Sequence, residues 1–422
     1  MNTKPIKDLL QAPRGMRDFY GDAFIQRKLF FAEAESIAES YGFSGIETPI
    51  MEHTEIFQKA VGAGTDIVDK EMYNLETIGG DRLTLRPEGT AAIIRAYIEH
   101  GMGSLPSPQM LYYSGPFFRH DKPQKGRYRQ LYQFGLEIMG SRDAMYDSLI
   151  IQTGYEIISH NGDNVIVKIN SLGNYAMRQQ YIIVLKKFYT ENKDKLSLRD
   201  IERIETNPFR ILDSKEPETV LLNATAPTLI EHLDVESNEH FNNVIASLDS
   251  LNIPYVIDPF LVRGMDYYEH TVFEYVTRDN NGNESLALGG GGRYDGLAEM
   301  IGHNQSIPAV GLGLGADRIV ESSEKNKNIV KTSIPLLLAD ISAYVPATKI
   351  IQKIRKNNNI FLLPLTQKIA KQISRVEKEG YKNILILGEN EIANNTIILK
   401  NLEKRDQQEI AIDDLSTLLQ EL

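Results

Sequence analysis

Residues 127–140 read Arg127-Tyr128-Arg129-Gln130-Leu131-Tyr132-Gln133-Phe134-Gly135-Leu136-Glu137-Ile138-Met139-Gly140. A period of two sets Arg127, Arg129, Gln133, Gly135 and Glu137 on one face of a strand and Tyr128, Tyr132, Phe134, Leu136 and Ile138 on the other. The second face is core. The first carries long cations at one end, an amide and a carboxylate at the other, and a glycine that leaves space between them. A solvated outer face would also be polar, but this order of groups suits a pocket for a zwitterion joined to a polyphosphate.

The alternation extends back to Met110 across a polar, Gly-containing turn at Lys122 to Gly126, which predicts two long antiparallel strands. His270 to Thr277, the turn Asn280-Asn281-Gly282-Asn283 and Ser285 to Leu288 predict a second hairpin. Long hairpins separated by helices, rather than strict β-α-β alternation, define an α+β core. Upstream, Phe24, Ile25, Leu29, Phe30, Ile37 and Tyr41 recur at helical spacing, with Asp22 as the expected N-cap and Gly42 as the stop.

Between the hairpins, Phe241, Val244, Ile245, Leu248 and Leu251 are spaced helically, and Asn207-Pro208-Phe209-Arg210-Ile211-Leu212-Asp213 acts as a breaker. This predicts a helical insertion at about 170–250. The polar run Glu321 to Asn328 reads as a linker. Beyond it, apolar runs at Ile334 to Ala339, Ile360 to Leu363, Asn383 to Leu387 and Thr396 to Leu399 alternate with a helical pattern at Ile369, Ile373 and Val376, as in a compact α/β domain. The expected division is a catalytic domain over 1–325, a linker over 326–332 and a second domain over 333–422.

A chain of 422 residues suits two or three domains at roughly 150 residues each. With 42% hydrophobic and 24% charged residues it has a globular composition. No apolar stretch approaches the roughly 20 residues of a spanning helix, so no membrane partner is expected. The absence of cysteine excludes disulfides, thiolate metal sites and a cysteine nucleophile. The start MNTKPIKDLL lacks the apolar core of a signal peptide, and both features suit the cytoplasm. A net charge of −11 argues against indiscriminate coating of nucleic acid. From Lys331 onward, however, 13 Lys and Arg face 11 Asp and Glu, so the surplus acid lies upstream.

In Ala309 to Ala316, glycines 311, 313 and 315 share one face and Val310, Leu312 and Leu314 the other, which predicts a flat slot for a planar ring such as adenine. Asp317-Arg318 follows where a helix would start, offering a guanidinium to phosphate. Close packing is the plainer reading of such glycines. The string imitates G-x-G-x-x-A, but alternating strand glycines are not the tight turn of a dinucleotide fingerprint. Gly289 to Gly292 reads as a flexible joint. With no G-x-x-x-x-G-K-[ST] motif, phosphate binding falls to arginines. Arg14, Arg86, Arg119, Arg127, Arg129, Arg263, Arg293 and Arg318 all sit beside glycine, proline or aromatic residues. The eight histidines lack H-x-x-x-H spacing, so no protein-built metal site is expected.

Phe118-Arg119-His120 with Gly126-Arg127-Tyr128-Arg129-Gln130 resembles motif 2 of the class II aminoacyl-tRNA synthetases, and Gly311 to Arg318 resembles their motif 3. Arg263-Gly264-Met265-Asp266-Tyr267-Tyr268 and Gly290-Gly291-Gly292-Arg293-Tyr294-Asp295-Gly296-Leu297 resemble the two signatures of the histidyl-tRNA synthetase family. The resemblance runs from Pro13-Arg14-Gly15 through Leu85-Arg86-Pro87-Glu88-Gly89-Thr90 and the Asn-Pro string to the C-terminal domain, which matches an anticodon-binding domain more loosely. Departures are small: Asp317 stands where the family usually has Glu, and His303-Asn304 occupies a loop that often holds glycine.

The resemblance implies a class II antiparallel-sheet core and ligation of L-histidine to its cognate tRNA with ATP, through a histidyl-adenylate. Glu88, Thr90 and Gln133 would hold the histidine ammonium, Glu137 and Tyr268 would read the imidazole, and Tyr267 and Tyr294 would close the pocket. Arg119 and Arg263 would contact both histidine and the α-phosphate as catalytic groups. Arg127 and Arg318 would take the outer phosphates and Arg129 would also bind ATP, with Gly311, Gly313 and Gly315 under the adenine. Arg263 would stand where other class II enzymes place a metal ion, and Mg²⁺ would accompany ATP. Leu29, Phe30, Ile37 and the run Gly45 to Ile50 with Pro49 resemble the motif 1 helix and strand, which implies a homodimer. The alternative is a non-catalytic paralogue, a histidine-binding regulatory subunit of ATP phosphoribosyltransferase. Such paralogues usually lack the anticodon domain and parts of motif 2, both of which this chain keeps.

Overall fold

Eight strands form the main sheet: β1 (Ser44–Gly45), β2 (Gln109–Phe118), β3 (Gln130–Met139), β4 (Val165–Ser171), β5 (Tyr255–Ile257), β6 (Glu269–Arg278), β7 (Glu284–Arg293) and β8 (Ala309–Gly315). Their order is β1-β2-β3-β8-β7-β6-β4-β5; the central six pair antiparallel, and β1 and β5 add parallel edges. This computed structural model describes residues 10–62, 65, 67–122, 126–162, 164–278, 284–323, 333–355, 359–363 and 368–419. Both expected hairpins form, as β2/β3 and β6/β7. Their turns at 123–125 and 279–283, and the linker from 324 to 332, lie outside the described residues.

The decisive strand begins at Gln130 rather than Arg127. Arg129 leaves the ladder because its backbone N–H donates to the carbonyl of Gly15 at 2.7 Å. From Gln133 on, the alternation holds. Phe134, Leu136 and Ile138 pack into a core with three helices, α1 (Gly21–Ser40), α2 (Ala144–His160) and α3 (Val235–Ser250). This core takes Phe30, Ala34 and Ala38 from α1 and Phe241, Val244 and Leu248 from α3, so the last helix of the 170–250 segment belongs to the helical layer under the sheet. Asp22 is not the N-cap of α1: Tyr20 is, with no side-chain cap bond, and Asp22 lies in the first turn, where its charge complements the helix dipole.

The other face of the sheet packs against a second core that joins Phe57, Ile93, Tyr113 and Phe117 to Tyr181, Tyr189 and Phe209 of the helical segment. Between these layers, Gly289 to Gly292 form part of β7 and are no flexible joint. A Cβ on Gly289, Gly290, Gly291 or Gly292 would lie 2.6, 2.4, 1.9 or 2.5 Å from a carbonyl oxygen of Gly313, Phe273, Gly311 or Thr271. The neighbouring backbones come too close to admit any side chain.

Residues 328–422 form a separate compact unit, distinct from residues 1–327. Its mixed sheet has β9 (Ile334–Leu338), β10 (Ile360–Leu362), β11 (Asn383–Leu387), β12 (Thr396–Asn401) and β13 (Asp406–Ala411) in the order β10-β9-β11-β12-β13. The first four match the apolar runs. The last, Asp-Gln-Gln-Glu-Ile-Ala, is an edge strand almost wholly exposed, so it carries no apolar alternation to announce it.

Candidate active site

Cross-strand register builds the floor. Glu137 lies opposite Leu111 on β2 and Gly311 on β8, Gly135 opposite Tyr113 and Gly313, and Gln133 opposite Gly115 and Gly315. With so few side chains in these rows, a cavity of about 430 Å³ opens above them, within the usual range for small-molecule sites. It is lined by Glu88, Thr90, Tyr113, Gln133, Tyr267 and Tyr268 on one side and by Arg119, Arg127, Arg263 and Arg318 with Gly313 and Gly315 on the other.

Glu137 is fully buried. Its carboxylate accepts hydrogen bonds from three hydroxyls: Thr90 Oγ1 at 2.9 Å, Tyr113 at 3.4 Å and Tyr294. Burial pushes its pKa up to about 8, because the hydroxyls that oppose the shift carry no full positive charge. Glu88, also buried, accepts from the backbone N–H groups of Thr90 at 2.7 Å and Ala91 at 3.0 Å, at the start of the Thr90–Glu99 helix. Burial raises its pKa as well. Two neighbouring carboxyls held toward their neutral forms make a site that gains from a cationic ligand. Tyr267 and Tyr268 wall it, while Tyr294, like Glu137, lies buried behind the lining; ring centroids are 4.6 and 5.7 Å apart in the successive pairs Tyr268–Tyr267 and Tyr267–Tyr294.

The opposite half is cationic. Arg119 Nε donates to the Pro87 carbonyl at 2.8 Å. Arg318 donates to the carbonyls of Gly126 at 2.9 Å and Ala287 at 2.7 Å. The pKa of Arg318 is lowered, by burial first and then by Arg127 and Arg119. An anion relieves all three. Arg263 pairs with Glu274 at 2.8 Å while its buried Nε has no hydrogen-bond partner among the described residues, which leaves donor capacity for a ligand.

Several expected residues sit elsewhere. Gly311 does not form part of the slot: its Cβ would lie 1.6 Å from Glu137 Oε2, so it makes room for that carboxylate. Arg129 does not line the cavity and donates to the Asp121 carbonyl at 3.3 Å. Arg14 is exposed. Arg86 is buried and holds the carbonyls of Pro116 and Thr48, each at 3.0 Å. Arg293 is 1% exposed and locked between Asp147 and Asp295, where it braces the strand end next to Tyr294. Sequence reasoning missed Tyr113, whose ring fills space left by Gly89 and Gly135: a Cβ there would come within 2.4 and 2.1 Å of it. It also missed Glu274 and Arg210. Pairing β2 with β3 in register would have placed Tyr113 over Gly135; no local signal marks the other two.

A hydroxyl-caged carboxyl pair joined to an arginine array across a glycine floor, on an antiparallel sheet, defines an amino-acid and nucleotide site of the class II aminoacyl-tRNA synthetase kind. The histidyl-tRNA synthetase profile matches residues 15–319, and an anticodon binding domain profile matches residues 340–422. The histidine--tRNA ligase of Hydrogenovibrio crunogenus is 40% identical over 418 residues, 97% of each chain. Apo histidyl-tRNA synthetase of S. aureus superposes with a TM-score of 0.78 at 30% identity, over 97% of this chain and 100% of that one. In fold, the histidyl-tRNA synthetase of Nostoc sp. PCC 7120 also agrees, with a TM-score of 0.70 at 21% identity over 98% and 99% of the two chains. This chain belongs to the histidyl-tRNA synthetase family.

Proposed function

We propose that this protein ligates histidine to its tRNA. A histidine carboxylate oxygen attacks the α-phosphorus of ATP, pyrophosphate leaves, and a hydroxyl of the tRNA 3′-terminal ribose then takes the histidyl group from AMP. The observation that carries the reading is the cavity that runs from Glu88, Thr90 and Gln133, with Glu137 buried directly behind Thr90, to the guanidinium groups of Arg119, Arg127, Arg263 and Arg318. Charge that builds on the equatorial oxygens at phosphorus meets fixed donors that need no reorganisation.

In this reading Glu137 and Tyr268 read the imidazole, Glu88, Thr90 and Gln133 take the ammonium, and Tyr267 and Tyr294 close the pocket. Arg119 and Arg263 serve the α-phosphate, Arg127 and Arg318 the outer phosphates, and Gly313 and Gly315 lie under the adenine. Arg129 and Gly311 drop out of direct contact on their placement. Mg²⁺ comes with ATP and neutralises its outer phosphates. Among the described residues no three His, Cys, Asp or Glu side chains could hold a metal ion together, and Asp121 and Glu274 are paired with Arg127 and Arg263.

The domain division remains 1–325 catalytic, 326–332 linker and 333–422 anticodon-binding. The apolar stripe Phe24, Ile25 and Leu29 on α1 is exposed, and covering it with a second copy gives the homodimer. Work on tRNA and ATP suits the cytoplasm; among the described residues no helix is long and apolar enough to cross a membrane.

Histidine-dependent exchange of pyrophosphate into ATP tests the reading. Histidine binding without exchange would instead support the regulatory alternative, which the match to an anticodon binding domain disfavours.

A further inference from the structure

The string Asn207-Pro208-Phe209-Arg210 has no part in the reading above, yet it reaches the loop that carries Arg263, Tyr267 and Tyr268. That loop, 263–268, belongs to no helix or strand, so its backbone groups have no ladder to satisfy them. Three alternate carbonyls are taken instead by arginines of the helical segment. Arg210 donates to the Gly264 carbonyl, and Arg178 donates to the carbonyls of Asp266 and, at 2.8 Å, Tyr268. Asn207 Nδ2 adds a bond to Asp266 Oδ1 at 3.2 Å. Phe209 is buried and steadies the group, with the Arg178 guanidinium 5.0 Å from its ring centroid and Tyr181 edge-on at 5.6 Å. On the far side, Asp266 is pressed on Gly62, where a Cβ would lie 2.4 Å from Asp266 Oδ2.

We infer that Arg178, Asn207 and Arg210 are positioning residues for adenylate formation: they clamp the 263–268 loop so that Arg263 and the two tyrosines face the cavity. The helical segment is then a working part of the amino-acid site. The inference rests on the ligase reading. Arg178 and Asn207 do not line that cavity, so their effect is transmitted through the loop, whereas Arg210 reaches its edge beside Gly264 and makes Asn207 the cleaner probe. The phosphate-side arginines are anchored elsewhere, Arg119 on the Pro87 carbonyl and Arg318 on those of Gly126 and Ala287. Of the phosphate arginines named, Arg263 alone rides on the clamped loop, so releasing the clamp weakens the α-phosphate contact of the transition state more than the ground-state affinity for ATP.

The test is pyrophosphate exchange in the full chain for Asn207→Ala, Arg210→Ala and Arg210→Lys, with calorimetric histidine affinity and thermal melting for each. Loosening a loop that carries a transition-state donor lowers kcat/KM for histidine about 10- to 100-fold. KM for ATP stays within about threefold, and Arg210→Lys, which keeps a donor for the Gly264 carbonyl, recovers at least half of the logarithmic loss. Asn207→Ser, too short to reach Asp266, repeats the effect if an alanine variant fails to fold. A silent Asn207→Ala, or a KM for ATP that rises in step with that for histidine, overturns the clamp. If the unaltered chain binds histidine but exchanges no pyrophosphate, the ligase reading fails and the clamp is judged on histidine affinity alone. Losses below about threefold in both alanine variants then overturn it.

Discussion

Replacing Glu137 by Gln separates the empty site from the occupied one. With a pKa of about 8, the wild-type carboxyl is mostly protonated at pH 7, and a neutral amide of the same shape mimics it. Near pH 4.5 melting temperature should therefore change little, and toward pH 7 the amide, which does not ionise on unfolding, should melt higher. An occupied site differs. The carboxylate accepts from Thr90 and Tyr113 on one oxygen and from Tyr294 on the other, whereas an amide has one accepting oxygen. Whichever way Gln turns, a buried hydroxyl faces an NH₂ group, and the imidazole has lost its only anionic partner among these groups. A hydrogen bond to a charged group contributes about 1.5–3 kcal/mol, and with mispairing the loss comes to about 2–4 kcal/mol, or roughly 30- to 1,000-fold in kcat/KM for histidine. Pyrophosphate exchange over a histidine titration at saturating ATP reads this directly. Exchange within about threefold of wild type would remove Glu137 from imidazole recognition.

Three further outcomes are expected. Gly311→Ala drives a methyl group into Glu137 Oε2 and should reduce histidine-dependent exchange on the order of 100-fold while ATP binding persists; wild-type exchange would show that the carboxylate has room to move. For pH, the folded pKa of Glu137 lies above the ordinary glutamate value of 4.5, so its contribution to stability is complete below pH 4.5 and is lost as pH rises toward about 8. Denaturant titrations between pH 5 and 8 should show wild type losing stability faster than Glu137→Gln, by about 1 kcal/mol per pH unit, and equal slopes would contradict the assignment. Deleting residues 328–422 removes a unit with its own hydrophobic clusters and should leave adenylation within about tenfold of the full chain while transfer to tRNA falls much further, most at high salt. Equal losses in both steps would argue against a separate RNA-binding role.

The hairpins were legible because Phe134, Leu136 and Ile138 repeat every second residue; the first helix was legible through Phe30, Ile37 and Tyr41, which meet the core, although Phe24, Ile25 and Leu29 of the same pattern are exposed. The arginines show where that legibility ends. Arg86 and Arg293 share the local setting of Arg119 and Arg263, beside proline, glycine or an aromatic, yet they are structural. What separates them is burial away from the cavity against partners remote in the chain: Asp147 for Arg293, 146 positions away, and the Thr48 carbonyl for Arg86, 38 positions away. The glycines at 289–292 misled for a similar reason. Local statistics associate such a run with loops, whereas the requirement here comes from carbonyls of β6 and β8, which only the assembled sheet brings near.

Those four glycines also shape how the gene can change. Any first- or second-position missense substitution in a glycine codon installs a side chain, and here each would meet backbone that cannot swing aside. A saturation library should therefore show its harshest intolerance along an uncharged stretch that touches no substrate through a side chain, while charged positions such as Arg129 and Arg14 accept replacement. Purifying selection on this chain would then be written as much in what is missing from the middle of its sheet as in the groups that perform its chemistry.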